Sequence, residues 1–130
     1  MTFELYCVGW TLVLAIVQIL LASLTRTAQF GPKWNMGARD GETPPLNPVS
    51  ARLLRAQANL FETMPVFIAA ILVAAIAGRT GELTHWGALI YLTARVVYVP
   101  LYALGIPVVR TLTWSISMAG IVMCLLAILR

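Results

Sequence analysis

Four apolar runs, each about long enough to cross a bilayer, take up most of this 130-residue chain. They run from about Leu5 to Leu24, Ser50 to Ala77, Leu83 to Leu104 and Thr111 to Leu129. A spanning helix needs about 20 mostly apolar residues, and only a helix or a closed barrel satisfies its own backbone in hydrocarbon. The four runs therefore predict an all-α, four-transmembrane-helix bundle formed by residues 1–130 as a single integral membrane domain. Composition agrees: 60% of the residues are hydrophobic and 11% charged, with mean hydropathy +0.86, against about 25% charged residues in soluble domains. A cleavable leader is not expected, because the first run is long and its positive charges follow it rather than precede it.

The net charge of +4 does not point to nucleic acid, since the basic residues are spread over loops without a basic-aromatic face. It reports topology instead. Arg26, Lys33 and Arg39 lie between the first two runs, Arg52 and Arg55 just beyond, and Arg110 between the last two. Only Arg79 and Arg130 lie on the other side. The positive-inside rule then puts the long loop in the cytoplasm and both termini outside. That loop, Thr25 to Pro48, carries the turn signals Gly31-Pro32, Asp40-Gly41 and Pro44-Pro45. Cys7 and Cys124 have no metal-ligand spacing and read as small buried residues; no metal site is expected. His85 and Trp86 read as an interfacial pair. Trp34 reads as a loop anchor. Pro65 and Pro100 fall inside helical runs, where a kink is expected.

Two polar stripes break the apolar background. Arg52, Arg55, Asn59 and Glu62 fall at i, i+3, i+7 and i+10, on one helix face, with Gln57 among them. Arg95, Tyr98 and Tyr102 fall at i, i+3 and i+7 on the next helix, again one stripe. Charge at membrane depth is costly and usually kept for function or pairing. At 1.5 Å per residue, the first stripe climbs about 15 Å, while Arg95 sits about 18 Å down the third run. Both estimates end near the midplane, which makes Glu62 and Arg95 natural partners. A single ion pair leaves Arg52, Arg55, Asn59, Tyr98, Tyr102 and Arg110 without a structural need, so the stripes are read as two walls of one intramembrane site. Arginines bind carboxylates bidentately, Glu62 suits an ammonium, and Arg110 or a tyrosine hydroxyl can stabilise a thiolate. Glutathione, with two carboxylates, one amine and one thiol, fits that set.

The segment Arg52-Leu-Leu-Arg55-Ala-Gln57-Ala-Asn59-Leu-Phe-Glu62-Thr-Met-Pro65 resembles the signature of the MAPEG family, the membrane-associated proteins in eicosanoid and glutathione metabolism. Its Arg-Ala-Gln-x-Asn-x-x-Glu core is similar to that of the microsomal glutathione transferases. The second stripe followed by Arg110 extends the resemblance over nearly the whole chain. Asn35-Met-Gly-Ala-Arg39-Asp40 looks like the small bacterial branch. The resemblance implies a homotrimer in the bacterial inner membrane, with glutathione as co-substrate bound between subunits at the cytosolic side. Arg55, Gln57, Asn59 and Glu62 would come from one subunit and Tyr98, Tyr102 and Arg110 from its neighbour. Arg52 and Arg95 complete the expected binding set. It implies Arg110 as the thiolate-holding residue, with Arg26 beside the thiol and Tyr98 the further candidate. Thr63 stands where several conjugating members carry tyrosine, and Ala58 where the prostaglandin-isomerising branch carries arginine. The expected activity is glutathione transfer to, or peroxidase reduction of, hydrophobic electrophiles that arrive with membrane lipid. A non-catalytic lipid-binding or scaffold protein of the same fold is the alternative, and a structural bundle whose stripes merely pair across an interface is a third.

Overall fold

The computed structural model describes all 130 residues. Four long helices run up and down: α1 (Phe3–Phe30), α3 (Pro48–Ile76), α4 (Glu82–Ala103) and α5 (Pro107–Leu129), with a short α2 (Pro32–Met36) in the first connection. All four long helices are long and apolar enough to cross a membrane, as the sequence predicts. Two boundaries differ from expectation. The first helix continues past Leu24 for more than a turn, because Thr25 to Phe30 still form helical hydrogen bonds after the apolar run ends. The loop also contains α2, which starts where Gly31 (φ 94°) turns the chain and Pro32 supplies a preset φ at the first helical position. Pro65 and Pro100 lie inside helices that continue through them.

Polar contacts fix the relative heights of the helices. At the end carrying both chain termini, Thr84 Oγ1 donates to Glu4 Oε1 at 2.7 Å, and Phe3 stacks on His85 at 4.2 Å. At the opposite end, Thr25 Oγ1 bonds Ser50 Oγ at 3.0 Å. Arg79 donates to the carbonyl of Arg130 and so ties the α3–α4 turn to the end of α5. Gln29 holds the long loop back against α1: its Nε2 donates to the Pro45 carbonyl at 2.9 Å and its Oε1 accepts from the Asn47 amide at 2.8 Å.

The core mixes small, aliphatic and aromatic residues. Cys7, Val8, Ala15, Leu60, Met64, Phe67, Ile71, Ala88, Tyr91, Ile121 and Cys124 belong to one buried apolar cluster. Both cysteines are free thiols within it. Phe67 stacks on Tyr91 at 4.2 Å, and the Tyr91 hydroxyl shares a 2.9 Å hydrogen bond with Thr63 Oγ1. Thr63 therefore faces the core, one turn beyond Asn59 on α3. The closest helix approach is α4 on α5. A Cβ added to Gly87 would lie 2.6 Å from the Gly120 carbonyl oxygen, and one on Gly120 would lie 2.7 Å from the Gly87 oxygen. Without water to drive helices together by hydrophobic burial, such close backbone contact is what small residues contribute to membrane bundles.

Candidate functional site

Helices α3, α4 and α5 bring much of the two stripes together near the end that carries the long loop. A cavity of about 260 Å³ is lined by Asn59, Tyr98, Tyr102, Arg110, Thr111 and Trp114. Asn59 comes from α3, the tyrosines from α4, and the last three from α5. The i+3/i+4 spacing on each helix stacks these side chains on one face. Tyr98 and Tyr102 meet edge to face, with ring centres 5.5 Å apart and planes at 67°.

The cations gather around the tyrosines. Arg110 lies over the Tyr102 ring at 4.6 Å, and Arg55 Nε donates to the Tyr102 hydroxyl at 3.2 Å. Tyr102 thus sits between two guanidinium groups from different helices. Arg95, 1% exposed, lies over the Tyr98 ring at 4.3 Å and donates from Nη1 to Asn59 Oδ1 at 2.8 Å. A guanidinium is held well by an aromatic face and a carbonyl-type acceptor. Neither partner, however, neutralises its charge.

Here one expectation changes. Glu62 and Arg95 do not pair within the chain; Arg95 takes Asn59 as its partner. Glu62 is exposed on α3, near the middle of that helix. The physical reason is angular. Residue 62 is three positions beyond residue 59, so the two share a stripe, but only Asn59 lies against α4. The relative levels estimated from sequence were adequate, since Asn59 meets Arg95 and Arg55 meets Tyr102, whereas the direction of each side chain around its helix was not available from spacing.

The remaining sequence candidates are placed as follows. Arg52 points at the end of α4, where Nη1 donates to the Ala103 carbonyl at 3.4 Å. Its guanidinium would lie 2.8 Å from a Cβ on Gly105, which adopts φ 72°. It caps that helix end, where a cation complements the helix dipole, and does not line the cavity. Gln57 is half-buried on α3. Arg26 is at the end of α1, 5.6 Å from the Trp34 ring. Arg39 approaches the same indole at 5.1 Å. Arg26 and Arg39 thus share an aromatic anchor in the loop, apart from the residues that line the cavity.

Sequence reasoning missed Thr111 and Trp114. Trp114 is four residues after Arg110, so the same i+4 argument used for the other stripes would have found it. It also missed two buried polar residues of α1. Glu4 lies one residue before the first apolar run as read, and Gln18 has no charge to draw attention.

The fold and this cluster define a class: an integral membrane protein of four spanning helices, with arginine, tyrosine and amide side chains gathered inside the bilayer-facing bundle. The sequence matches the model of the MAPEG family over residues 7–130, nearly the whole chain, and the chain belongs to that family. No curated protein matches it.

Proposed function

We propose that this protein is a membrane-bound glutathione transferase or peroxidase acting on hydrophobic electrophiles. The family includes such enzymes. The observation that carries the reading is the arrangement around Tyr102: Arg55 and Arg110 approach one phenol from two helices, and no carboxylate of the chain is hydrogen-bonded to either. Two guanidinium groups so placed suit an acidic peptide-like ligand with carboxylates and a thiol. The neighbouring Asn59 and Tyr98 add amide and phenol groups at the cavity wall.

Glutathione supplies the nucleophilic sulfur. The protein's part is to bind and to hold charge. Arg55 and Gln57 engage carboxylate and peptide groups, and Glu62 takes the ammonium. Arg110 holds the thiolate once the thiol proton has left to solvent, with Tyr98 as a hydroxyl donor and Arg26 as the further candidate. For conjugation, the sulfur bonds to the electrophilic carbon and the leaving group departs with its electron pair. Bilayer lipid delivers the apolar partner to the exposed faces of the helices.

The active form in this proposal is a homotrimer in a bacterial inner membrane, with its site facing the cytoplasm at the subunit boundary; Arg55 and Arg110 already meet at Tyr102 within one chain, residues that the family resemblance divides between neighbouring subunits. Glu62 supports the assembly, because an exposed carboxylate halfway along a spanning helix is costly against lipid and is covered if a neighbouring subunit packs there. Arg55, also exposed, fits the same interface.

The test is an ultraviolet difference spectrum on adding glutathione to purified protein, together with conjugation of a generic aromatic electrophile. A thiolate band and turnover above the uncatalysed rate are expected. Lipid binding with neither signal would establish the scaffold role instead.

A further inference from the structure

Two side chains in the bundle interior have polar atoms without partners. Gln18 is 1% exposed, and neither Nε2 nor Oε1 makes a hydrogen bond. Arg95 is equally buried, and its Nε and Nη2 are likewise unpartnered, leaving Nη1 on Asn59 as its hydrogen bond. Buried polar atoms are almost always satisfied, by protein or by ordered water, and inside a bilayer each failure costs more.

The two residues occupy one layer. Glu4 and Thr84 are in contact, so α1 and α4 start at the same height. Gln18 lies fourteen residues on from Glu4, about 21 Å along the axis. Arg95 lies eleven residues on from Thr84, about 16 Å. Its guanidinium is carried to the Tyr98 ring, and Tyr98 is fourteen residues on from Thr84, at the height of Gln18. The Thr25–Ser50 contact gives an independent check from the other end. Gln18 is about 10 Å above it on α1 and Asn59 about 13 Å above it on α3. One polar side chain from each of α1, α3 and α4, two of them buried, therefore meets the same slice of the bundle.

We propose that Gln18 and Arg95 line one internal hydration site, in which ordered water accepts from Arg95 Nε and Nη2 and exchanges hydrogen bonds with the Gln18 amide. The donor count selects the occupant. Arg95 offers donors alone, while Gln18 offers a donor and an acceptor. An anion would serve the donors and leave the Gln18 carbonyl oxygen unpaired. Water serves both, and it is small enough for a site whose polar atoms are closed to solvent. The site lies behind the cavity wall: water fixes the Arg95 guanidinium, and Nη1 fixes the Asn59 carbonyl oxygen. Gln18 is thus a positioning residue for Asn59, acting through Arg95.

The test uses the sign of a melting shift in the purified, full-length protein. Gln18→Leu should lower the melting temperature by about 4 °C, because Arg95 loses part of its hydration. In an Arg95→Met background the same change should be neutral or stabilising. A rise in the wild-type background, or equal shifts in both, would overturn the proposal, since an isolated dry amide is better replaced by leucine. Where Gln18→Leu does not fold, Gln18→Glu decides. It should melt at or above wild type when Arg95 is within reach of a carboxylate, and a fall would count against the shared site. A high-resolution map of the wild type should show density within hydrogen-bond distance of both side chains; its absence overturns the proposal.

The positioning role rests on the proposed glutathione site and has its own readout. Gln18→Leu should weaken glutathione binding several-fold at temperatures where the protein is folded, and Gln18→Glu should restore it. Unchanged affinity rejects positioning. Absence of binding in the wild type rejects the proposed function, while the melting cycle still judges the hydration site.

Discussion

Tyr102 shows how much depends on single side chains here. Its hydroxyl accepts from Arg55 and its face carries Arg110, so the ring sets the separation of two cations that would otherwise repel. If Arg110 holds the reacting thiolate, Arg110→Ala lowers kcat by about 10²-fold and leaves glutathione affinity nearly unchanged, because one preorganised donor acts mainly in the transition state. Steady-state conjugation kinetics with a binding titration separate the two effects; normal turnover would move the role to Arg26 or Tyr98. Asn59 is the other decisive residue. It is the hydrogen-bond partner of a fully buried guanidinium, so Asn59→Leu strands Nη1 and destabilises the protein by about 2 kcal/mol. Thermal melting of the variant in detergent tests this, and an unchanged melting temperature would show that Arg95 is held by other groups.

At the level of helices, the α4–α5 pair depends on backbone approach rather than on side-chain fit. Gly87 and Gly120 face each other so closely that either Cβ would meet the opposite carbonyl oxygen. Gly120→Val therefore forces the helices apart and costs about 1–3 kcal/mol. Because Arg110 and Trp114 ride on α5 while Tyr98 and Tyr102 ride on α4, the same change opens the cavity. A lowered melting temperature accompanied by weaker glutathione binding is expected. Loss of stability with full binding would mean that the cavity tolerates helix separation. The glycines were visible in the sequence, but not their apposition, since residues 87 and 120 lie on different helices whose registers are set only when they pack.

For the whole molecule, topology and assembly remain the testable points. The basic loop predicts that Asp40 faces the cytoplasm. In sealed cells a Cys7→Ala, Cys124→Ala, Asp40→Cys variant should resist an impermeant thiol reagent and react after permeabilisation; labelling from outside would reverse the orientation. Glu62 is exposed halfway along α3, and a trimer interface would cover it. Glu62→Gln is expected to lower the trimer fraction or the glutathione affinity, read by native mass measurement and by titration. Neither changing would remove Glu62 from both roles.

The sequence by itself determined the four spanning helices, because apolar runs of bilayer length leave the backbone no other way to satisfy itself in hydrocarbon. It also determined the family, through the rare polar residues of the Arg52–Pro65 segment, and the shared level of both stripes, because helical rise is constant. Only the tertiary structure decided which stripe residues meet. Asn59 rather than Glu62 took Arg95, Arg52 went to the end of α4, and Thr63 turned into the core toward Tyr91. These outcomes depend on the rotation of each helix about its axis, which the packing of Gly87 on Gly120 and of Phe67 on Tyr91 settles. Gln18 makes the same point from the other side: an uncharged amide in an apolar run carries no signal in sequence, and its burial without a protein partner is evident only in the packed bundle.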